Sequence, residues 1–166
     1  MTLQKTLKNR LKGAKRIAVL GVGSELKGDD AAGMLVARQI KQRCRNMRVS
    51  SKDVKVFFGS TAPENITGEI RRFAPQHLLI IDATLMQEKT GVVKIFPGKE
   101  IEGISFSTHR LPIKILADYL TASIGCEVTF IGIQPEKIKF LSQPGKAVSE
   151  SVNKLSCLLG DIFYDT

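Results

Sequence analysis

Three short segments of this chain are apolar almost without a break: Ile17-Ala-Val-Leu-Gly-Val22, Leu78-Leu-Ile-Ile81 and Val128-Thr-Phe-Ile-Gly-Ile133. A strand with one wet face alternates polar and apolar residues. An unbroken run marks a strand covered on both faces, as in a parallel sheet flanked by helices. Val54-Lys-Val-Phe-Phe58 and Val92-Val-Lys-Ile-Phe96 read as two further strands. Helical spacing fills the intervals. Residues 30–44 place Met34, Leu35, Ala37 and Ile40 on one side, and Pro63-Glu64 opens a helix that runs to Arg72. Pro112 begins another through Ala122, and residues 145–159 turn Val148, Val152, Leu155, Leu158 and Leu159 inward. The alternation predicts an α/β fold, with a mostly parallel five-stranded sheet and helices on both faces.

The 166 residues predict a single domain, 1–166. No apolar run approaches the ~20 residues of a membrane span. Cys44, Cys126 and Cys157 form no C-x-x-C pair, so neither a disulfide framework nor a zinc knuckle is expected. Met1-Thr-Leu-Gln-Lys5 carries no secretory core, and the expected compartment is the cytoplasm. The net charge is +9. Much of it sits in residues 1–16, where Lys5, Lys8, Arg10, Lys12, Lys15 and Arg16 meet no acid. Leu3, Leu7 and Leu11 recur beneath these cations, so residues 2–12, within a basic extension over 1–15, read as a short amphipathic helix ended by Gly13. Arg38, Lys41, Arg43, Arg45 and Arg48 form a second basic stretch. No aromatics interleave with either one, which disfavours a single-strand nucleic-acid platform. A solvated face and an acidic protein partner both stay open.

In parallel sheets, function collects beyond the carboxyl ends of the strands. The first strand runs into Gly21-Val-Gly-Ser-Glu-Leu-Lys-Gly-Asp-Asp30. A dinucleotide fingerprint needs a third glycine where Leu26 stands. A P-loop needs a lysine and a hydroxyl where Asp29 and Asp30 stand. Two carboxylates there would repel phosphate. Asp29 is placed as N-cap of the helix that follows, and Asp30 would lie in its first turn. The third strand is expected to end at Asp82, which an Asx turn, a cap or a bound metal would each explain. His77 reads as a surface or edge residue. His109, in Ser107-Thr-His-Arg-Leu-Pro112, is a cap, an exposed side chain or a ligand. Asp30, Asp82 and His109 share one rim of the predicted sheet. Two carboxylates and an imidazole suit a borderline divalent ion such as nickel or zinc.

These residues also carry a family resemblance. Five motifs occur in order: Gly21 to Asp30, Gly59-Ser-Thr-Ala-Pro-Glu-Asn65, Leu79-Ile-Ile-Asp-Ala83, Ser107-Thr-His109 with Pro112, and Gly132-Ile-Gln-Pro135. Over residues 16–159 the chain resembles the nickel–iron hydrogenase maturation endopeptidases, most closely the branch serving formate-hydrogenlyase and membrane-bound hydrogenases. Ser24 and Ala31 depart from the family's usual asparagine and glycine, and residues 1–15 precede its usual start.

The resemblance implies a twisted three-layer α/β/α sandwich of the phosphorylase/hydrolase-like kind. It implies an endopeptidase that removes the C-terminal extension of a [NiFe]-hydrogenase large-subunit precursor once nickel is installed. The nickel is expected to arrive with the precursor rather than reside in the enzyme. The implied ligands are Asp30, Asp82 and His109, with Asp29 or Asp82 as the base on water. The expected protein is a monomer that binds no nucleic acid. The alternative is a non-cleaving chaperone or metal-binding module acting on the same nickel-loaded precursor.

Overall fold

The computed structural model describes residues 2–46, 52–98, 101, 105–106, 113–136 and 138–164. Six strands occur among them: β1 (Arg16–Val22), β2 (Asp53–Ser60), β3 (His77–Leu85), β4 (Val93–Pro97), β5 (Ser105–Phe106) and β6 (Glu127–Ile133). Five lie in the order β2-β1-β3-β6-β4. β2, β1, β3 and β6 run parallel, and β4 closes the edge antiparallel to β6. β5 pairs antiparallel with Thr84 and Leu85 of β3. The helices are α1 (Leu3–Arg10), α2 (Ala32–Asn46), α3 (Thr67–Phe73), α4 (Ile113–Ile124) and α5 (Lys146–Tyr164). Short 3₁₀ turns at Gly28–Ala31 and Pro63–Ile66 lead into α2 and α3. The helix starts expected at 30 and 63 are therefore tighter 3₁₀ turns, and α5 outruns its expected end by a full turn.

The strands bury both faces because their side chains alternate between two cores. Ile17, Val19, Leu79, Ile81, Ile131 and Ile133 pack under α1, α2 and α5. Ala18, Leu20, Leu78, Ile80, Val128 and Phe130 pack under α3 and α4. This is a three-layer sandwich. The basic helix α1 belongs to its first layer, with Leu7 and Leu11 fully buried. Its exit is tied to the sheet through Gln76, whose Oε1 accepts the N–H groups of Lys15 and Arg16 at 2.7 and 3.1 Å. Docking of α1 is thus a matter of ordinary core packing, and its lysines point to water. No described helix is long and apolar enough to cross a membrane. The cysteines are free, with Cys126 buried, Cys44 half-buried and Cys157 exposed.

Two glycines set how closely α2 approaches the sheet. A Cβ on Gly33 would lie 2.1 Å from the Ile81 carbonyl oxygen and 2.4 Å from that of Val22. A Cβ on Gly21 would lie 2.5 Å from the Gly33 carbonyl oxygen. With both absent, the first turn of α2 rests directly on the carboxyl end of β1 and on β3 at Ile81. The carboxyl rim of the sheet and the segment before α2 are thereby brought together.

Candidate active site

β1 stops pairing with β3 at Gly21 and Ile81. β3 itself continues to Leu85, still paired with β6 through Asp82 and Ala83. Asp82 therefore does not close its strand, as the sequence suggested. It sits inside β3 at the point where its neighbour β1 has ended, and it is only 1% exposed. The space vacated by β1 is taken by Gly23 and Asp30. Gly23 has φ +123°, a conformation that side chains rarely adopt. A Cβ there would lie 1.9 Å from the Asp30 carbonyl oxygen and 3.6 Å from Asp82 Oδ1. Only a glycine leaves room for these groups to converge. Asp30 is fully buried, and its Oδ2 accepts the Ser24 N–H at 2.8 Å. Two buried acids from separate segments thus border the position of Gly23, Asp30 through its backbone carbonyl and Asp82 through its carboxylate.

Asp29 has a different position from the one expected. It does not cap α2. Its Oδ2 accepts the Glu136 N–H at 2.8 Å, and its Oδ1 accepts the Gly145 N–H at 2.7 Å. Gly145 immediately precedes α5, so the helix that benefits from this negative charge is α5, not α2. Both oxygens being held by backbone amides, Asp29 fastens the β1–α2 segment to the β6–α5 segment. The two segments also pair directly. Leu141 N–H donates to the Leu26 carbonyl at 2.7 Å, and Gly28 N–H to that of Ser142 at 3.0 Å. His109, with Ser107 and Thr108, lies outside the described residues. Among the described residues no group of three His, Cys, Asp or Glu forms a metal cluster. α4 begins at Ile113, close after His109 in the chain.

His77 is a further correction. It was expected at the surface, yet it is 2% exposed, with Nε2 2.8 Å from the Thr129 hydroxyl. Burial pushes its pKa down to about 4; the Glu127 carboxylate opposes this and Arg10 adds to it. An unfolded histidine titrates near 6.5. Between these values the unfolded chain takes up a proton that the folded one refuses. His77 therefore favours the fold above pH 6.5, and that support is lost as pH falls toward 4. The slope cannot exceed roughly 1.4 kcal/mol per pH unit. Thermal midpoints at pH 7 and pH 5 should diverge more for the parent than for His77→Gln. Equal divergence would remove His77 as the source. This histidine lies at the amino ends of the strands, opposite the acid rim, and serves packing.

Several supporting residues carried weaker signals. Gln134, in the Gly-Ile-Gln-Pro motif, is nearly buried; its Oε1 accepts the N–H groups of Met86 and Glu88 at 2.7 and 3.3 Å. It pins the chain leaving β3 beyond Asp82. Pro63 of the Ala-Pro-Glu-Asn motif is buried beneath the rim, while Glu64 and Asn65 are exposed after β2. Glu25 forms a two-pronged ion pair with Arg38, whose guanidinium stacks 5.3 Å from the Phe58 ring centre. That pair anchors the loop between Gly23 and Asp30 to α2, and Arg38 holds the Glu25 carboxyl below its usual pKa. A loop glutamate and a helix arginine 13 residues apart give no periodic signal in a sequence.

The profile of the HycI family, described as hydrogenase maturation protease, matches residues 34–157. A hydrogenase 3 maturation protease of Escherichia coli K12 is 38% identical over 138 residues, covering 81% of this chain and 84% of its own. A Methanocaldococcus jannaschii protein assigned to the hydrogenase maturation proteases is 36% identical over 140 residues, 83% of each chain. The crystal structure of a [NiFe] hydrogenase maturation protease HycI from Thermococcus kodakarensis KOD1 superposes with a TM-score of 0.85 at 30% identity, covering 95% of this chain and 97% of that one.

Proposed function

This chain belongs to the hydrogenase maturation proteases and is a peptidase, and from that premise we propose that it removes the C-terminal extension of a [NiFe]-hydrogenase large-subunit precursor. The observation that carries the proposal is that two buried acids border one glycine: the Asp30 backbone carbonyl and Asp82 Oδ1 both lie against the side-chain-free position of Gly23. A buried carboxylate is costly unless a cation, a proton or hydrogen-bond donors join it. A nickel ion carried by the precursor is the fitting guest, with His109 as third ligand from this chain. In this view the metal is part of the substrate. Asp30 and Asp82 recognise it, and thereby admit only a precursor that has received its nickel.

Peptide hydrolysis needs a base for water and a proton for the leaving amine. In this reading Asp82 serves as both, taking a proton from the attacking water and passing it to the new amino terminus. A metal bound beside the scissile carbonyl would polarise it. Asp30 is held by the Ser24 N–H, in the same loop that Gly23 shapes. The setting is the cytoplasm, where three free cysteines are at home, and the acting species is a monomer.

The direct test is the intact mass of the cognate precursor after incubation with this protein, with and without nickel loaded. Loss of a C-terminal peptide from the loaded sample alone is expected. Loss from both would remove nickel as the condition for cleavage. Binding without any mass change would leave a non-cleaving chaperone in its place.

A further inference from the structure

The two segments fastened together by Asp29 carry a surface that neither the fold nor the acid site accounts for. Leu26, Ile138, Phe140 and Leu141 are large apolar side chains exposed to water; Phe140 is 61% and Leu141 77% accessible. Leu141 is also held at φ +56°, a left-handed conformation that costs a leucine energy. The strain is maintained by structure on each side. Leu141 N–H bonds to the Leu26 carbonyl, Gly28 N–H to the Ser142 carbonyl, and the Ser142 hydroxyl to the Lys139 carbonyl at 2.6 Å. A free surface loop relaxes such a conformation or replaces the leucine with glycine or asparagine. Here the backbone is braced so that an apolar side chain stands out in solvent.

We propose that Leu26, Phe140 and Leu141 form the docking platform for the folded body of the large-subunit precursor, beside the segment that is cut. This rests on the function proposed above and adds the surface by which the substrate protein is held. Continuity with the site favours this occupant. Leu26 lies in the same loop as Asp30, and the Asp30 N–H bonds to the Lys27 carbonyl at 3.1 Å. A protein seated on the platform therefore has its adjoining chain at the acid rim. The charge fits as well. Lys27 and Lys139 flank the apolar side chains in a protein of net charge +9, so the complementary surface is apolar with an acidic border. Exposed aromatic and aliphatic groups of this kind act as anchors when a partner excludes water from them.

The test measures equilibrium binding of nickel-loaded precursor to the parent and to Phe140→Ser/Leu141→Gly, alongside the KM for processing. Binding about 100-fold weaker, with a matching rise in KM, is expected, since each anchor contributes about tenfold or more. Leu141→Gly alone relieves the left-handed strain, so its thermal midpoint should not fall while its binding still weakens. That combination separates docking from folding. Binding and KM within twofold of the parent for the double variant overturn the platform and leave the peptidase untouched. Binding by the parent that the double variant loses supports the platform even where no peptide is released, which would instead count against the proteolytic function. A parent that neither binds nor cuts the precursor overturns both.

Discussion

Asp82→Asn is expected to reduce precursor processing by about 100- to 10,000-fold, the range over which a positioned acid or base acts. The amide has nearly the same shape as the carboxylate. It still fills the gap beyond the end of β1, between Gly23 and β6. It lacks the charge that would bind a cation and the basicity that would accept a proton from water. Stability should hold or rise slightly, because a buried carboxylate is exchanged for a neutral group. Asp30→Asn should act similarly, since an amide oxygen can still accept the Ser24 N–H. His109→Ala completes the set. Processing rates by intact mass, with thermal midpoints measured in parallel, decide the matter. A soluble Asp82→Asn or Asp30→Asn protein that processes at the parental rate would sink the assignment of the site.

Gly33→Ala is expected to be the most damaging single-methyl change in the fold. In an exposed helix the substitution would gain up to about 1 kcal/mol of helix propensity. Here the added carbon would stand 2.1 and 2.4 Å from two strand carbonyl oxygens, Ile81 and Val22. Backbone cannot swing aside as a side chain does, so α2 must lift from the sheet. Such overpacking costs about 3 kcal/mol, more than the propensity gain. For a domain of this size that is a fall of roughly 10 °C in melting temperature. Activity should drop further than stability, because the turn that carries Asp30 leads directly into α2. A midpoint equal to the parent's would show that the close contact can relax without loss.

Much of the architecture was legible because burial on two faces leaves its mark residue by residue. Ile17 to Val22 and Leu78 to Ile81 could be recognised as central strands without any knowledge of their neighbours. Asp30 and Asp82 could be nominated because chemistry gathers where parallel strands end. The limits were also physical. β3 runs past Asp82 to Leu85, and a charged residue in mid-strand looks like a stop until one sees that β1 has ended beside it. Asp29 looked like a local cap because its true partners, Glu136 and Gly145, lie 107 and 116 residues away. His77 looked superficial because it opens a strand directly after Pro75-Gln76. It is dry because its strand is paired on both sides and its ring meets the Thr129 hydroxyl.

The sequence by itself determined the layers, the parallel core and the rim on which the acids lie. Hydrophobic periodicity and glycine placement are local properties and are written in local order. Tertiary structure alone decided that the β1–α2 and β6–α5 segments are joined through Asp29, that Gly23 opens the space between Asp30 and Asp82, and that Leu141 is braced outward beside them. Those facts depend on distances between segments far apart in the chain, and no run of neighbouring residues records such a distance.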